Sequence, residues 1–102
     1  MSVDTSAIQA SAQRLFPNAS FDQVIVELLL ERAQKNLIKY QTTARQFEIK
    51  YGKDFESFRH DVLNTQPPYQ QEQDYFDWEL ATSGIIDMEE EIERLRTLSQ
   101  PR

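Results

Sequence analysis

The sequence predicts an all-α protein: an elongated antiparallel hairpin of two long helices, with a short N-terminal helix and a short connecting helix. Three observations predict it. One apolar seam runs Val26, Leu30, Ala33, Leu37, Tyr40, Ala44, Phe47, Tyr51, in alternating steps of four and three. A second runs Trp78, Ala81, Ile85, Met88, Ile92, Leu95, again alternating three and four. Such spacing keeps one stripe turned to a partner along a whole helix, as in a coiled coil. Finally, two glycines and four prolines in 102 residues leave few turns. At this length residues 1–102 form a single helical domain.

Each element has its own signals. Ser6 to Phe16 carries Ile8, Ala12, Leu15 and Phe16 at helical spacing and is ended by Pro17. Ser20-Phe21-Asp22-Gln23 has the form of a capping box, with Ser20 as N-cap. The helix it opens runs to Tyr51, where Gly52 supplies the stop. Asp54 to Leu63 reads as a connecting helix with Phe55, Phe58, Val62 and Leu63 on one face. Asn64 to Pro68 ends it, because Pro67 and Pro68 lack the amide that a continuing helix needs. The last helix runs from about Tyr69 to about Leu98. It passes through Gly84, because the seam keeps its phase across the glycine; close helix packing, a mild kink or a hinge would each account for that residue. Met1 to Thr5 and Ser99 to Arg102 read as frayed ends.

Composition narrows the function. Seventeen acidic residues against eleven basic ones give a net charge of -6. Direct binding of nucleic acid is not expected, since phosphate contacts need clustered Lys and Arg. Without cysteine there is no disulfide, thiolate nucleophile or zinc ribbon, which fits a cytoplasmic location. Met1 to Gln13 lacks a basic segment followed by an apolar run, so no secretion signal is read. No apolar run approaches the ~20 residues that span a bilayer, so no membrane partner is expected.

No motif names a reaction, and the chain is read as non-enzymatic, with no catalytic residue, cofactor or metal. His60, the only histidine, sits between Arg59 and Asp61 and lacks an identifiable orienting partner. A carboxylate di-metal bundle would need Glu-x-x-His spacing on two helices and inward glutamates. No Glu lies three residues before His60, and Glu89, Glu90, Glu91 and Glu93 flank the Met88/Ile92 seam instead of occupying it.

Two surface features remain. At the start of the first long helix Phe21, Val24, Ile25, Val26, Leu28, Leu29 and Leu30 cover nearly the whole circumference. The N-terminal helix can cover one side with Ile8, Leu15 and Phe16. A second copy of the chain is the simplest cover for the rest, giving a homodimer through Val24, Ile25, Leu28 and Leu29; a different protein is the next, and a monomer whose connecting helix folds back over this region is the alternative. The second feature is charge asymmetry. Phe21 to Lys53 holds four acidic and six basic residues, whereas Asp54 to Glu93 holds twelve acidic residues and only Arg59. Lys35, Lys39, Arg45 and Lys50 are expected to face Asp77, Glu79, Asp87 and their neighbours across the hairpin, favouring its register. An acidic excess remains for a basic partner. In Gln73-Asp74-Tyr75-Phe76-Asp77-Trp78-Glu79-Leu80, Trp78 fits the seam, while Tyr75 and Phe76 cannot both do so. At least one aromatic should point outward among carboxylates, the usual make-up of an interaction hot spot, unless the connecting helix covers it.

Several segments carry a family resemblance: Glu31-Arg32-Ala33-Gln34-Lys35, Phe47-Glu48-Ile49-Lys50-Tyr51-Gly52, Asp54-Phe55-Glu56-Ser57-Phe58, Gln73 to Glu79, and Ile86-Asp87-Met88-Glu89. Together they resemble small helical prokaryotic proteins encoded beside ribonuclease-type toxins. The resemblance covers most of the chain and implies an antitoxin that neutralises a basic toxin. Many antitoxins also bind operator DNA, but this chain has no helix-turn-helix spacing or basic arm, so that activity is not carried over. The expected neutralising face comprises Asp74, Tyr75, Phe76, Glu79, Glu89, Glu90 and Glu93. The alternative is a homodimeric helical scaffold whose acidic face only keeps it soluble.

Overall fold

The computed structural model describes residues 2–99. It holds four helices, α1 (Thr5–Leu15), α2 (Phe21–Tyr51), α3 (Phe55–Leu63) and α4 (Tyr69–Ser99), and no strand among the described residues. Thr5 opens α1 and Ser99 closes α4, so both belong to helices; Ser2, Val3 and Asp4 precede α1 without regular structure, and Met1 and residues 100–102 of the expected frayed ends lie outside the described residues.

The caps explain these boundaries. Asp4 starts α1 by accepting from the amides of Ser6 at 3.0 Å and Ala7 at 3.3 Å. Ser20 and Gln23 form the full capping box: Ser20 Oγ accepts from the Gln23 amide at 3.2 Å, and Gln23 Oε1 from the Ser20 amide at 2.8 Å. Gly52 ends α2 in the left-handed region, φ 65°, its amide donating to the Glu48 carbonyl at 2.8 Å. Asp54 caps α3 by accepting from the Ser57 amide at 2.8 Å. That amide holds the Asp54 carboxyl below its ordinary pKa.

The long helices α2 and α4 run antiparallel in one register. Tyr51 meets Asp74, Phe47 meets Trp78, and Tyr40 meets Gly84. Further along, Ala33 packs with Ile92 and Leu95. Carried to the end, this register sets Val26 opposite Ser99, so the first turn of α2 reaches beyond the last described turn of α4.

The core is built in two parts. The larger centres on Trp78, 1% exposed, with Ala44, Phe58, Val62, Tyr75 and Ala81. Rings of Phe58, Phe55, Phe47 and Tyr51 surround the indole at centroid distances of 5.1, 5.5, 5.7 and 6.3 Å. The short helix α3 exists to close this cluster, contributing Phe55, Phe58 and Val62. Leu63 does not share that face: it is exposed, because one further residue turns it about 100° around the helix. The smaller part joins Ala33, Ile92 and Leu95 with Leu30, Leu37 and Met88.

Charge does not set the register as expected. Among the described residues one ion pair joins α2 to α4, Lys50 to Asp74. Arg45–Glu48, Arg59–Glu56 and Arg94–Glu91 lie within single helices, and Lys53 pairs with Asp61 on α3. Lys35 and Lys39 do not reach Asp77, Glu79 or Asp87. Exposed pairs are worth little, so the interlocking apolar seams fix the alignment instead.

The molecule measures 58 × 36 × 18 Å with a Cα radius of gyration of 19.7 Å, against about 13 Å for a compact domain of this length. Its accessible surface is 7928 Å², whereas a compact monomer of 12.0 kDa exposes about 6,000 Å².

Candidate functional site

The inner face of α4 extends further upstream than the apolar seam. Asp74 and Tyr75, both expected on a docking face, are turned inward and buried. Asp74, 4% exposed, is the one buried charged residue among those described. It is also fully satisfied. Lys50 Nζ and the Tyr51 hydroxyl each donate to Oδ2 at 2.5 Å, and Gln70 Nε2 donates to Oδ1 at 3.1 Å. Burial pushes the Asp74 carboxyl up, but the bonds from Lys50, Tyr51 and Gln70 together outweigh it and hold the group below its ordinary pKa. The bond to Asp74 raises Lys50. Tyr51 is raised first by its own burial, then by Asp74. This network ties α2 to α4 next to the α2 stop, within the register that the apolar seams set.

Tyr75 stacks on Phe55 at 5.8 Å, and its hydroxyl donates to Glu79 Oε2 at 2.9 Å. It supports the surface from beneath and also lines the cleft beside Phe76. Phe76 is the aromatic that points outward, 51% exposed, its ring 5.5 Å from that of Tyr75. Glu72, Asp77 and Glu79 are exposed around it. Glu89, Glu90 and Glu93 are exposed further along the helix, while Glu91 is taken up by Arg94. Of the seven expected contact residues, five therefore lie on the surface: Phe76, Glu79, Glu89, Glu90 and Glu93.

The second surface lies at the opposite end. Val24 is buried where α1 crosses α2, beside Ala12 and Ala19, so it cannot meet another chain as expected. Ile25, Leu28 and Leu29 remain exposed, Leu29 at 51%. The N-terminal helix covers less than expected, because Ile8 and Leu15 are themselves exposed and α1 has no buried residue. Leu98 adds to this apolar end from α4.

His60 is exposed, and Asn64 lies at 3.2 Å from its Nδ1. Among the described residues no group of three or more His, Asp or Glu is placed to hold a metal ion. Among the described residues no helix is long and apolar enough to cross a membrane. The chain matches no protein-family model, no curated protein and no solved structure, so its functional reading rests on its own surfaces.

Proposed function

We propose that this chain is a non-enzymatic binding module that captures a basic protein on the outer face of α4, in the manner of an antitoxin neutralising its toxin. The observation that carries the reading is Phe76: a large apolar ring, half exposed, held outward by a buried Tyr75 and flanked by Glu72, Asp77 and Glu79. An exposed aromatic gives an interface its anchor. The surrounding carboxylates speed association with a basic surface and bias it against acidic ones. A cytoplasmic ribonuclease-type toxin presents such a surface, because it must hold RNA phosphates. Two variants of the full chain test this. Phe76→Asp and the triple reversal Glu89→Lys, Glu90→Lys, Glu93→Lys should each weaken capture of the partner while leaving helical circular dichroism unchanged. Unaltered capture by both would end the reading.

A homodimer accompanies this function. Ile25, Leu28 and Leu29, with Leu98, leave an apolar end that none of the described residues covers, and the molecule exposes about 1,900 Å² more than a compact monomer of its mass. A stable interface buries about 800 Å² per partner, so a second copy on this end accounts for a large part of the excess. It leaves the outer face of α4 free.

A further inference from the structure

Beside Phe76 the surface is concave. A cleft of about 440 Å³ opens between the end of α3 and the start of α4. One wall is Val62 and Leu63 with Pro67, the other is Tyr75 and Phe76, and Glu72 and Glu79 line it as well. The positions on α4 follow from helix geometry: Glu72, Phe76 and Glu79 are spaced four and three apart, so they share one stripe, the carboxylates about 10 Å apart along the axis with the ring between them. Leu63, exposed on α3, supplies a second apolar contact. The carboxylates differ in how they are held: Glu79 is oriented by the Tyr75 hydroxyl at 2.9 Å, whereas Glu72 has no ion pair among those found. One cation, Arg59, lies beside Tyr75 and, less closely, Glu79; it does not itself line the cleft, and its own ion pair is with Glu56 at 3.8 Å, so it offsets one of the two carboxylates at most. The rim is thus net negative around an apolar floor.

We infer that this cleft takes one turn of an amphipathic basic helix from the partner: an aliphatic side chain seated between Leu63 and Phe76, with Lys or Arg three or four residues to either side reaching Glu72 and Glu79. The inference rests on the reading of α4 as a docking face for a basic protein and states which part of that protein is recognised. Charge complementarity selects a basic occupant. The single apolar slot between two carboxylates selects a pattern, because a helix repeats its facing residues at those same spacings. A flat acidic surface would attract any polycation, whereas this cleft distinguishes order from composition.

Two synthetic helical peptides of identical composition test it. In the first, leucine is flanked by lysines three and four positions away on one face; in the second, leucine is moved to the opposite face. Each is titrated into the full-length protein and followed by amide chemical shifts. The first should bind about tenfold more tightly than the second, with shifts concentrated at Leu63, Phe76 and Glu79. Phe76→Ala and the double change Glu72→Gln, Glu79→Gln should each remove that preference, and all three positions are exposed enough for the fold to survive. Equal binding of both peptides, or no binding of either, would overturn the inference. Shifts confined to residues 87–93 would also overturn it, while leaving capture of a basic protein by α4 intact.

Discussion

The ring of Tyr40 lies where a side chain on Gly84 would be. A Cβ at position 84 would sit 2.6 Å from Cδ2 and Cε2 of Tyr40 and 2.7 Å from Cδ1. The glycine is thus a contact of two helices, and α4 runs unbroken through it. Removing a mid-helix glycine ordinarily stabilises by about 1 kcal/mol. Here the opposite is expected. Gly84→Ala should destabilise by about 1–2 kcal/mol, because forcing apart well-packed groups costs about 1–3 kcal/mol. Urea denaturation measures this directly. In a Tyr40→Ala background the same change should become stabilising, since the obstructing ring is gone.

Trp78 joins three helices through one side chain. Its indole touches rings from α2 and α3, and it is almost wholly buried. Trp78→Ala should cost about 3–5 kcal/mol, and Trp78→Phe should cost less. A thermal melt following near-ultraviolet dichroism checks both, since the rings around Trp78 lose their fixed arrangement when it goes.

The network around Asp74 makes stability depend on pH in both directions. Asp74 is held below its ordinary pKa, so the unfolded chain takes up its proton first on acidification. Its contribution is present above about pH 4 and is lost as pH falls through the lower folded value. Lys50 and Tyr51 are raised, so theirs are present below about pH 10 and are lost as pH rises through the higher folded values. Asp74→Asn should be less stable at neutral pH by about 1–3 kcal/mol and should lose less on acidification. Asp54 and Asp61, also held low, leave some residual slope. Urea midpoints from pH 3 to pH 7 compare the two proteins, and equal slopes would contradict this assignment.

At the apolar end, Leu28→Asp and Leu29→Asp should convert a dimer into a folded monomer. Both residues are about half exposed in the single chain, so the charge costs the fold little. Sedimentation equilibrium reads the mass, and circular dichroism confirms retained helix. An unchanged mass for both variants would place any dimer contact elsewhere.

The hairpin was legible because its signals are local and periodic. The capping box at Ser20 and Gln23, the stop at Gly52 and the two seams each specify one element, and each formed as its residues require. The surface was legible only in part. Chemical type places Asp74 and Tyr75 on the docking face, yet Asp74 continues the seam upstream, four residues before Trp78. Extending that register would have turned it inward, where Lys50 and Tyr51 meet it. Val24 is buried for a reason no periodicity carries: it depends on where α1 crosses α2. The cleft of Leu63 and Phe76 was equally hidden, since it arises from the angle at which α3 rejoins α4 after Pro67 and Pro68.

Capture from the native host, with the full-length tagged chain at low and high salt, tests the binding of a basic protein most directly. A stoichiometric small basic protein, identified by mass spectrometry, released at high salt and lost with Phe76→Asp, is the predicted result. Recovery of the chain alone, at dimer mass under both conditions, would contradict it and leave a structural scaffold.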